Sequence, residues 1–353
     1  MTTFLSILAA FVVLSVLVFV HELGHFIAGR LLGFKILEFS IGMGPQVLKK
    51  EKNGIVYSLR ALPIGGMCKF YGEDEGDEDK DFFSSKPVWK RIIVVAAGPI
   101  MNVVFSVVFA VITVIGYGDI LYRPAIAGLS EEITTAAEAG IMENDVLLEI
   151  GGVAIEGSYN YSVTIDSAIE AIKAADPEGD VTIVVDRDGE EVSLTASSLF
   201  DEASGQNMLG VSVGAAPVRV KYGFFESIGH SFKYIGNVIS EYLSFFGRLF
   251  TGNVSTDDVG GTIMMIDLLQ QAVRAGFETV LRMAVVLSLS LGLMNALPIP
   301  ALDGGRLLFM LIELIFRKPV PAKVEGMIHF AGFVLLMILM VFLVYLDITK
   351  IAG

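Results

Sequence analysis

Residues 4–32, FLSILAAFVVLSVLVFVHELGHFIAGRLL, combine a long apolar run with two histidines and a glutamate. About 20 apolar residues suffice for a helix to cross a bilayer, so this stretch predicts a membrane-spanning helix. A signal peptide is not expected, because no Lys or Arg precedes the run and the run is too long for the apolar part of a leader. The stretch therefore predicts a membrane protein whose first span carries polar groups.

Three further apolar stretches are long enough to span a bilayer: 88–116, 277–316 and 327–345, the second of them broken by Pro298 and Pro300. The chain is 54% hydrophobic and only 18% charged, against about 25% charged residues in soluble domains. Polar residues gather at 34–90 and 118–276. The sequence thus predicts a polytopic α-helical membrane protein with about four transmembrane helices and two soluble portions.

The Lys and Arg residues predict the orientation, since positive charges near the ends of spans favour the cytoplasmic side. The loop after the first span is rich in both residue types, and the loop after the third carries Arg317, Lys318 and Lys323. No basic residue precedes Arg30. We therefore expect both termini and the portion at 118–276 to lie outside the cytoplasm.

Charge and cysteine content exclude several classes of protein. The net charge of −14 arises largely from an acidic run at 73–79, typical of a solvated loop, and from residues 131–202. Nucleic-acid binding is not expected, because it requires a basic surface. The single cysteine, Cys68, permits neither an intramolecular disulfide nor a cysteine-rich metal site.

The segment at 21–25 has the pattern HExxH. Helical residues four apart share one face, so His21 and His25 can reach the same metal ion. Glu22 beside them can take a proton from water at that ion. A charge inside a lipid-buried helix costs about 2.5–3.5 kcal/mol, which favours a functional site over polar residues that merely face the interior of a bundle.

A zinc enzyme needs a third protein ligand and an open fourth position. A histidine six residues after His25 is excluded, because Leu31 stands there. His230 falls in the external portion, and His329 has no polar company in the fourth apolar stretch. Asp303 is the better candidate, because the Pro- and Gly-containing backbone around it is tolerated at membrane depth only inside protein or beside a wet cavity.

Asn295 lies eight residues before Asp303 in the same broken stretch. Its side-chain amide could donate a hydrogen bond to the oxyanion that develops during peptide hydrolysis. The amide could equally satisfy the broken backbone, and the sequence leaves both roles open. His21 lies about 25 Å along the first span, so we expect the metal in the cytoplasmic half of the bilayer.

Together these motifs resemble those of bacterial site-2 proteases of the RseP type, over nearly the whole chain. The matching residues are HELGH at 21–25, LPIGG at 62–66, AGPIMN at 97–102, Asn295, and LDG at 302–304. The resemblance implies an intramembrane zinc metalloprotease with one Zn²⁺ ion per chain. It also implies a β-hairpin at about 34–70 that dips into the membrane and aligns an extended substrate, with substrate contacts at Gly65, Gly66 and Asn102.

The same resemblance implies the partners and the location. Substrates would be single-pass transmembrane proteins in the lipid bilayer, such as membrane-bound anti-sigma factors or leftover signal peptides. They would be cut after another protease has shortened their external part, as in regulated intramembrane proteolysis. The enzyme would lie in the bacterial cytoplasmic membrane, and its oligomeric state stays open.

Residues 118–215 have the pattern of a small α+β domain. A strand is expected at 145–150, an amphipathic helix at 164–175 and a hairpin at 181–195. This order resembles a circularly permuted PDZ domain, in which Leu209 and Gly210 would belong to the ligand-binding loop. Such a domain could bind new C-termini or only gate access, and both roles stay open.

Apolar residues recur at helical spacing between Phe224 and Phe246. They predict an amphipathic helix on the outer membrane surface or a core helix packed on the preceding domain. The expected divisions of the chain are span one at 1–33, a cytosolic loop at 34–87, span two at 88–117, the external domain at 118–215, a helical linker at 216–276, span three at 277–317, and span four with the C-terminus at 318–353.

Two other functions compete with the protease. A membrane-tethered PDZ adaptor would carry a structural zinc site, which is usually closed by four protein ligands. A metal transporter would repeat its ligands along a path. The sequence offers one cluster of three ligands and a base, which favours the enzyme.

Overall fold

The computed structural model describes residues 3–72, 81–130, 132–174, 179–197, 199–201, 206–252 and 260–352. The acidic run at 73–79 lies outside these ranges. The chain divides into two compact units, one formed by residues 1–113 and 238–353 and the other by 114–237. The first unit is mainly helical, and the second is rich in β-structure.

Five helices, numbered by their order in the chain, agree with the apolar stretches. They are α1 (Thr3–Leu31), α2 (Val88–Tyr117), α7 (Phe277–Ala296), α8 (Asp303–Phe316) and α9 (Ala322–Ala352). Among the described helices, α1, α2, α7 and α9 are long and apolar enough to cross a membrane. The third apolar stretch is therefore split, because α7 alone has the length of a span and α8 is a separate helix after the break.

The large side chains that these helices expose are mainly apolar. α9 exposes Phe330, Leu335 and Val341, among other apolar side chains, as a lipid-facing surface requires. α1 and α2 approach closely, since a Cβ atom at Gly24 would lie 2.2 Å from the carbonyl oxygen of Ala97. Small residues at such contacts are usual between membrane helices.

Between α1 and α2 the chain forms an antiparallel hairpin of β1 (Ile36–Lys52) and β2 (Ile55–Phe70). The hairpin turns at Asn53 and Gly54, whose φ angles are 55° and 73°. Two positive φ angles match the twist of a tight hairpin turn. The hairpin expected at 34–70 is thus present, and its depth in the membrane stays a prediction.

The second unit is built on one antiparallel sheet. Its strands are β3 (Asp119–Leu129), β4 (Val146–Ile150), β5 (Val153–Ala154), β6 (Asp180–Arg187), β7 (Glu190–Ser197) and β10 (Val211–Val220). They follow the order β10-β3-β4-β6-β7, with β5 paired to β4. The remaining elements are α3 (Thr135–Glu138), α4 (Tyr161–Lys173) and the separate pair β8 (Leu199–Asp201) and β9 (Gln206–Met208).

The core of this unit is formed by alternating residues of the sheet. Ile126, Leu147, Ile183 and Val185 are each 2% exposed or less. The strand, helix and hairpin expected between 145 and 195 are all present. The boundary expected at 215 differs from the structure, because residues 216–220 stay paired with β3 and the strand ends at Val220.

Two helices, α5 (Phe224–Thr251) and α6 (Thr262–Ala275), occupy most of the segment expected as a helical linker. α6 packs against α1 and α9. Asp347 near the end of α9 accepts hydrogen bonds from the backbone N–H groups of Gly261, Ile263 and Met264 at 2.8–3.1 Å. The carboxylate thereby caps the N-terminus of α6.

Candidate metal centre

Three potential metal ligands converge in the first unit. The Nε2 atoms of His21 and His25 lie 3.3 Å apart on α1. Asp303 Oδ2, at the start of α8, lies 3.0 Å from His21 Nε2 and 3.4 Å from His25 Nε2. Four tetrahedral ligands at zinc–ligand distances of 2.0–2.1 Å would be separated by about 3.3 Å. The three atoms therefore stand at the spacing that a zinc ion requires.

The polar environment of these atoms also fits a metal. Asp303 Oδ2 is buried and accepts no hydrogen bond of good geometry from the described part of the chain. A buried carboxylate oxygen without a partner is costly. A cation held between Oδ2 and the two Nε2 atoms would satisfy it, so the residues present fit Zn²⁺.

Each imidazole is oriented from behind through its Nδ1 atom. His25 Nδ1 lies 2.9 Å from the carbonyl oxygen of Val94. That carbonyl can only accept, so Nδ1 carries the proton and Nε2 is free to bind a metal. The residues that orient both rings belong to α2.

Asn102 holds the ring of His21, whose Nδ1 atom lies 3.2 Å from its side-chain amide. Asn102 is fully buried, and its Oδ1 atom has no hydrogen-bond partner within the described residues. With Oδ1 turned toward Nδ1, the amide accepts the imidazole proton and both groups are satisfied. Asn102 was expected to contact substrate, whereas the structure places it against His21.

Glu22 lines a cavity of about 370 Å³ together with His21, His25 and Asp303. The backbone N–H of Cys68 on β2 donates a hydrogen bond to the Glu22 carboxylate. Gly66 also lines the cavity, and a Cβ atom there would lie 2.7 Å from Glu22 Cγ. Gly65 has a φ of 79° and packs beside Met43. Of these two glycines, Gly66 is the one next to the predicted base.

The segment that carries Asp303 folds back on itself between α7 and α8. A Cβ atom at Gly304 would lie 2.0 Å from the carbonyl oxygen of Leu297, so only glycine fits there. Arg91 on α2 binds Glu313 on α8 at 2.6 Å, with both side chains largely buried. This ion pair ties α8 to the helix that orients the two histidines.

Asn295 lies in the last turn of α7, and its Nδ2 atom donates to the carbonyl oxygen of Leu291 at 2.9 Å. The amide thus donates to a backbone carbonyl of its own helix, which favours the expected role of satisfying the backbone. A role at the oxyanion stays a prediction.

His329 is the polar residue that sequence reasoning misjudged. It was expected to have no polar company, but its Nδ1 atom accepts a hydrogen bond from the backbone N–H of Ala301 at 2.9 Å. One feature of the sequence indicated such a contact: a histidine in an apolar span costs free energy, and such residues usually have a polar partner. Its partner is a backbone group, which no sequence pattern identifies.

A separate cavity of about 480 Å³ lies within the second unit. Leu209 and Gly210 line it with residues of α4 and β10. Leu209 is 3% exposed, and Gly210 has a φ of 67°. The carbonyl oxygen of Gly210 accepts a hydrogen bond from the backbone N–H of Ser130. The two residues expected in a ligand-binding loop therefore border a groove between a helix and an edge strand.

Residues 9–339 match the sequence profile of peptidase family M50. The chain belongs to peptidase family M50. A related protein from Fusobacterium nucleatum is 33% identical over 98% of this chain and 99% of the relative. Relatives in Agrobacterium fabrum and Clostridium acetobutylicum are 32% and 31% identical and cover at least 95% of both chains. Each of the three carries the name "Putative zinc metalloprotease".

Membership in family M50 confirms the predicted resemblance to site-2 proteases. The protein is a zinc metalloprotease of a membrane-embedded type, and Zn²⁺ is its cofactor. An adaptor without catalytic activity is no longer a competing explanation. The substrates of an M50 enzyme are membrane proteins within the lipid bilayer.

Proposed function

We infer that this M50 enzyme binds one zinc ion through His21, His25 and Asp303 and hydrolyses a peptide bond inside the membrane segment of its substrate. The observation that carries this proposal is the convergence of three ligand atoms at 3.0–3.4 Å, from two helices far apart in sequence. When bound, zinc supplies a Lewis acid that polarises the substrate carbonyl and lowers the pKa of water. Glu22 receives the proton from the attacking water and delivers it to the leaving amine.

The hairpin supplies the substrate-binding edge in this proposal. β2 borders the cavity from Gly66 to Phe70, and an extended peptide can add to the edge of a strand through backbone hydrogen bonds. Gly66 lets this part of β2 lie directly against Glu22, because a Cβ atom there would come within 2.7 Å of Glu22 Cγ. The substrate helix must unwind locally for this pairing, since a helical backbone has no free groups to offer.

The substrate class follows from the family resemblance and the predicted orientation. Single-pass membrane proteins whose external part has already been shortened fit best, including anti-sigma factors and signal-peptide remnants. The β-rich domain is proposed to be PDZ-like and extracytoplasmic, and to select substrates either by size or by binding their new C-termini at the groove beside Gly210. The proposal includes a location in the bacterial cytoplasmic membrane with both termini outside, as the Lys and Arg distribution predicts.

Substrate trapping tests this proposal. Glu22→Gln keeps the shape of the side chain and removes the base, so the variant should retain substrates in the native membrane. Mass spectrometry of the captured proteins should identify single-pass proteins that have lost most of their external part, and the wild-type enzyme should not retain them. Capture of intact multi-pass or soluble proteins by Glu22→Gln alone would contradict the proposed substrate class.

A further inference from the structure

The turn that delivers Asp303 has an unusual backbone conformation. Ala301, two residues before Asp303, has a φ of 77°, in the left-handed region that residues with a side chain rarely adopt. Pro300 precedes it, and the turn lies in a segment of otherwise apolar sequence. Backbone N–H groups at membrane depth find no water to bind. Such a turn needs support from neighbouring elements to keep one conformation.

α9 supplies a hydrogen bond to this turn. The N–H of Ala301 donates to Nδ1 of His329 at 2.9 Å. Because Nδ1 accepts, the neutral imidazole carries its proton on Nε2, which lies 3.9 Å from Glu325 one turn earlier. The ring also packs against Phe309 of α8, with 5.6 Å between ring centres. The side chain is only 18% exposed.

One turn further along the same face, α9 touches the turn directly. A Cβ atom at Gly332 would lie 2.4 Å from Pro300 Cβ and 2.7 Å from the Pro300 carbonyl oxygen. Residues three apart share a helix face, so His329 and Gly332 form one contact surface. The neighbouring Phe330 and Phe333 are 68% and 53% exposed and do not belong to this surface.

We propose that His329 and Gly332 are positioning residues: they hold the Pro300–Ala301 turn in the conformation that brings Asp303 to the metal. Gly332 allows α9 to approach, and His329 accepts the hydrogen bond of the Ala301 N–H in this conformation. The inference rests on the proposed metal site at His21, His25 and Asp303. It goes beyond that site, because neither residue of α9 is a ligand and neither touches the reacting atoms.

A purely space-filling role makes a different prediction. If His329 only fills volume, a leucine of similar size should serve nearly as well. If its acceptor atom matters, asparagine should serve better than leucine, because Asn Oδ1 occupies about the place of His Nδ1. Zinc affinity separates the two cases, since it reports the position of Asp303 independently of turnover.

The experiment compares matched pairs of full-length protein in detergent, with zinc affinity measured by chelator competition. His329→Leu should bind zinc at least about tenfold more weakly than wild type, the lower end of the usual effect of losing a group that orients a ligand. His329→Asn should stay within about threefold, as should Phe330→Leu, the control at an exposed site. Gly332→Ala should weaken zinc binding, whereas Gly326→Ala adds the same methyl group where no atom lies within 4 Å.

Equal zinc affinities of His329→Leu and Phe330→Leu would overturn the proposal, as would equal losses in the Leu and Asn variants. If His329→Leu does not fold, the two glycine variants decide, and equal affinities for them would count against the inference. The Asp303→Ala variant distinguishes an error about the role of α9 from an error about the metal site. If it loses zinc while the α9 variants keep it, only the role of α9 is wrong; if it keeps wild-type affinity, the proposed metal site itself is wrong.

Discussion

The orientation of His21 depends on a residue that is not itself a ligand. Asn102 contacts its Nδ1 atom from α2 inside the helix bundle. We expect Asn102→Leu to weaken zinc affinity about 10- to 100-fold, as losses of such partners usually do. Asn102→Asp should retain most of the affinity, because a carboxylate oxygen still accepts the Nδ1 proton.

Chelator competition on the purified variants measures this effect. Val104→Leu, at an exposed position of the same helix, serves as the control for changes on α2. If Asn102→Leu binds zinc as tightly as that control, Asn102 does not orient the ligand. A loss of substrate affinity without a loss of zinc affinity would instead support the expected contact between Asn102 and substrate.

Two kinds of site residue differ in how far the sequence could predict them. His21 and His25 were predictable because a fixed helical period places residues four apart on one face. Asp303 was predictable because broken backbone in an apolar span is tolerated only in special surroundings. Asn102 and His329 act through contacts with residues 81 and 28 positions away in the sequence, and neither helical period nor composition fixes such contacts.

At the scale of elements, β2 and α1 meet where Gly66 faces Glu22. A Cβ atom at position 66 would lie 2.7 Å from Glu22 Cγ, so Gly66→Ala should displace the base and leave the metal ligands in place. We expect kcat to fall about tenfold, which is less than the 10²–10⁴-fold effect of losing a general base. Zinc content should stay at the wild-type level.

Steady-state rates on a reconstituted substrate, together with zinc analysis, measure both quantities. Gly54→Asn is the matched control, because the turn has open space around it and asparagine tolerates its positive φ. Unchanged kcat in Gly66→Ala would show that the contact between hairpin and base is not required. Loss of zinc would mean that the hairpin supports the ligands as well.

The sequence also predicted the positions of secondary-structure elements, although it did not predict one domain boundary. Apolar length predicted α1 and α2 closely, because lipid imposes a minimum length on a span. The fourth stretch, expected at 327–345, lies inside the longer helix α9 (Ala322–Ala352). The third stretch divided into α7 and α8, as its two prolines suggested. The domain boundary expected at 215 falls inside β10, because the pairing of residues 216–220 with β3 is a long-range contact that local composition does not reveal.

For the whole molecule, the distribution of Lys and Arg predicts sidedness. After Cys68 is replaced by serine, cysteines at Lys50 and Lys318 should resist impermeant thiol reagents in intact cells. A cysteine at Glu190, in the β-rich domain, should react readily. Permeabilised cells provide the control, since all three positions should then react. Rapid labelling at Lys50 in intact cells would overturn the predicted orientation.

We propose that His21, His25 and Asp303 hold the zinc ion and that Glu22 acts on water beside it. Metal analysis of the purified Glu22→Gln and Asp303→Ala variants, with hydrolysis assayed in parallel, tests this most directly. Glu22→Gln should bind close to one zinc per chain and show no hydrolysis, because only the base is lost. Asp303→Ala should lose both zinc and activity. Loss of zinc from Glu22→Gln, or full retention of zinc by Asp303→Ala, would show that these roles are wrong.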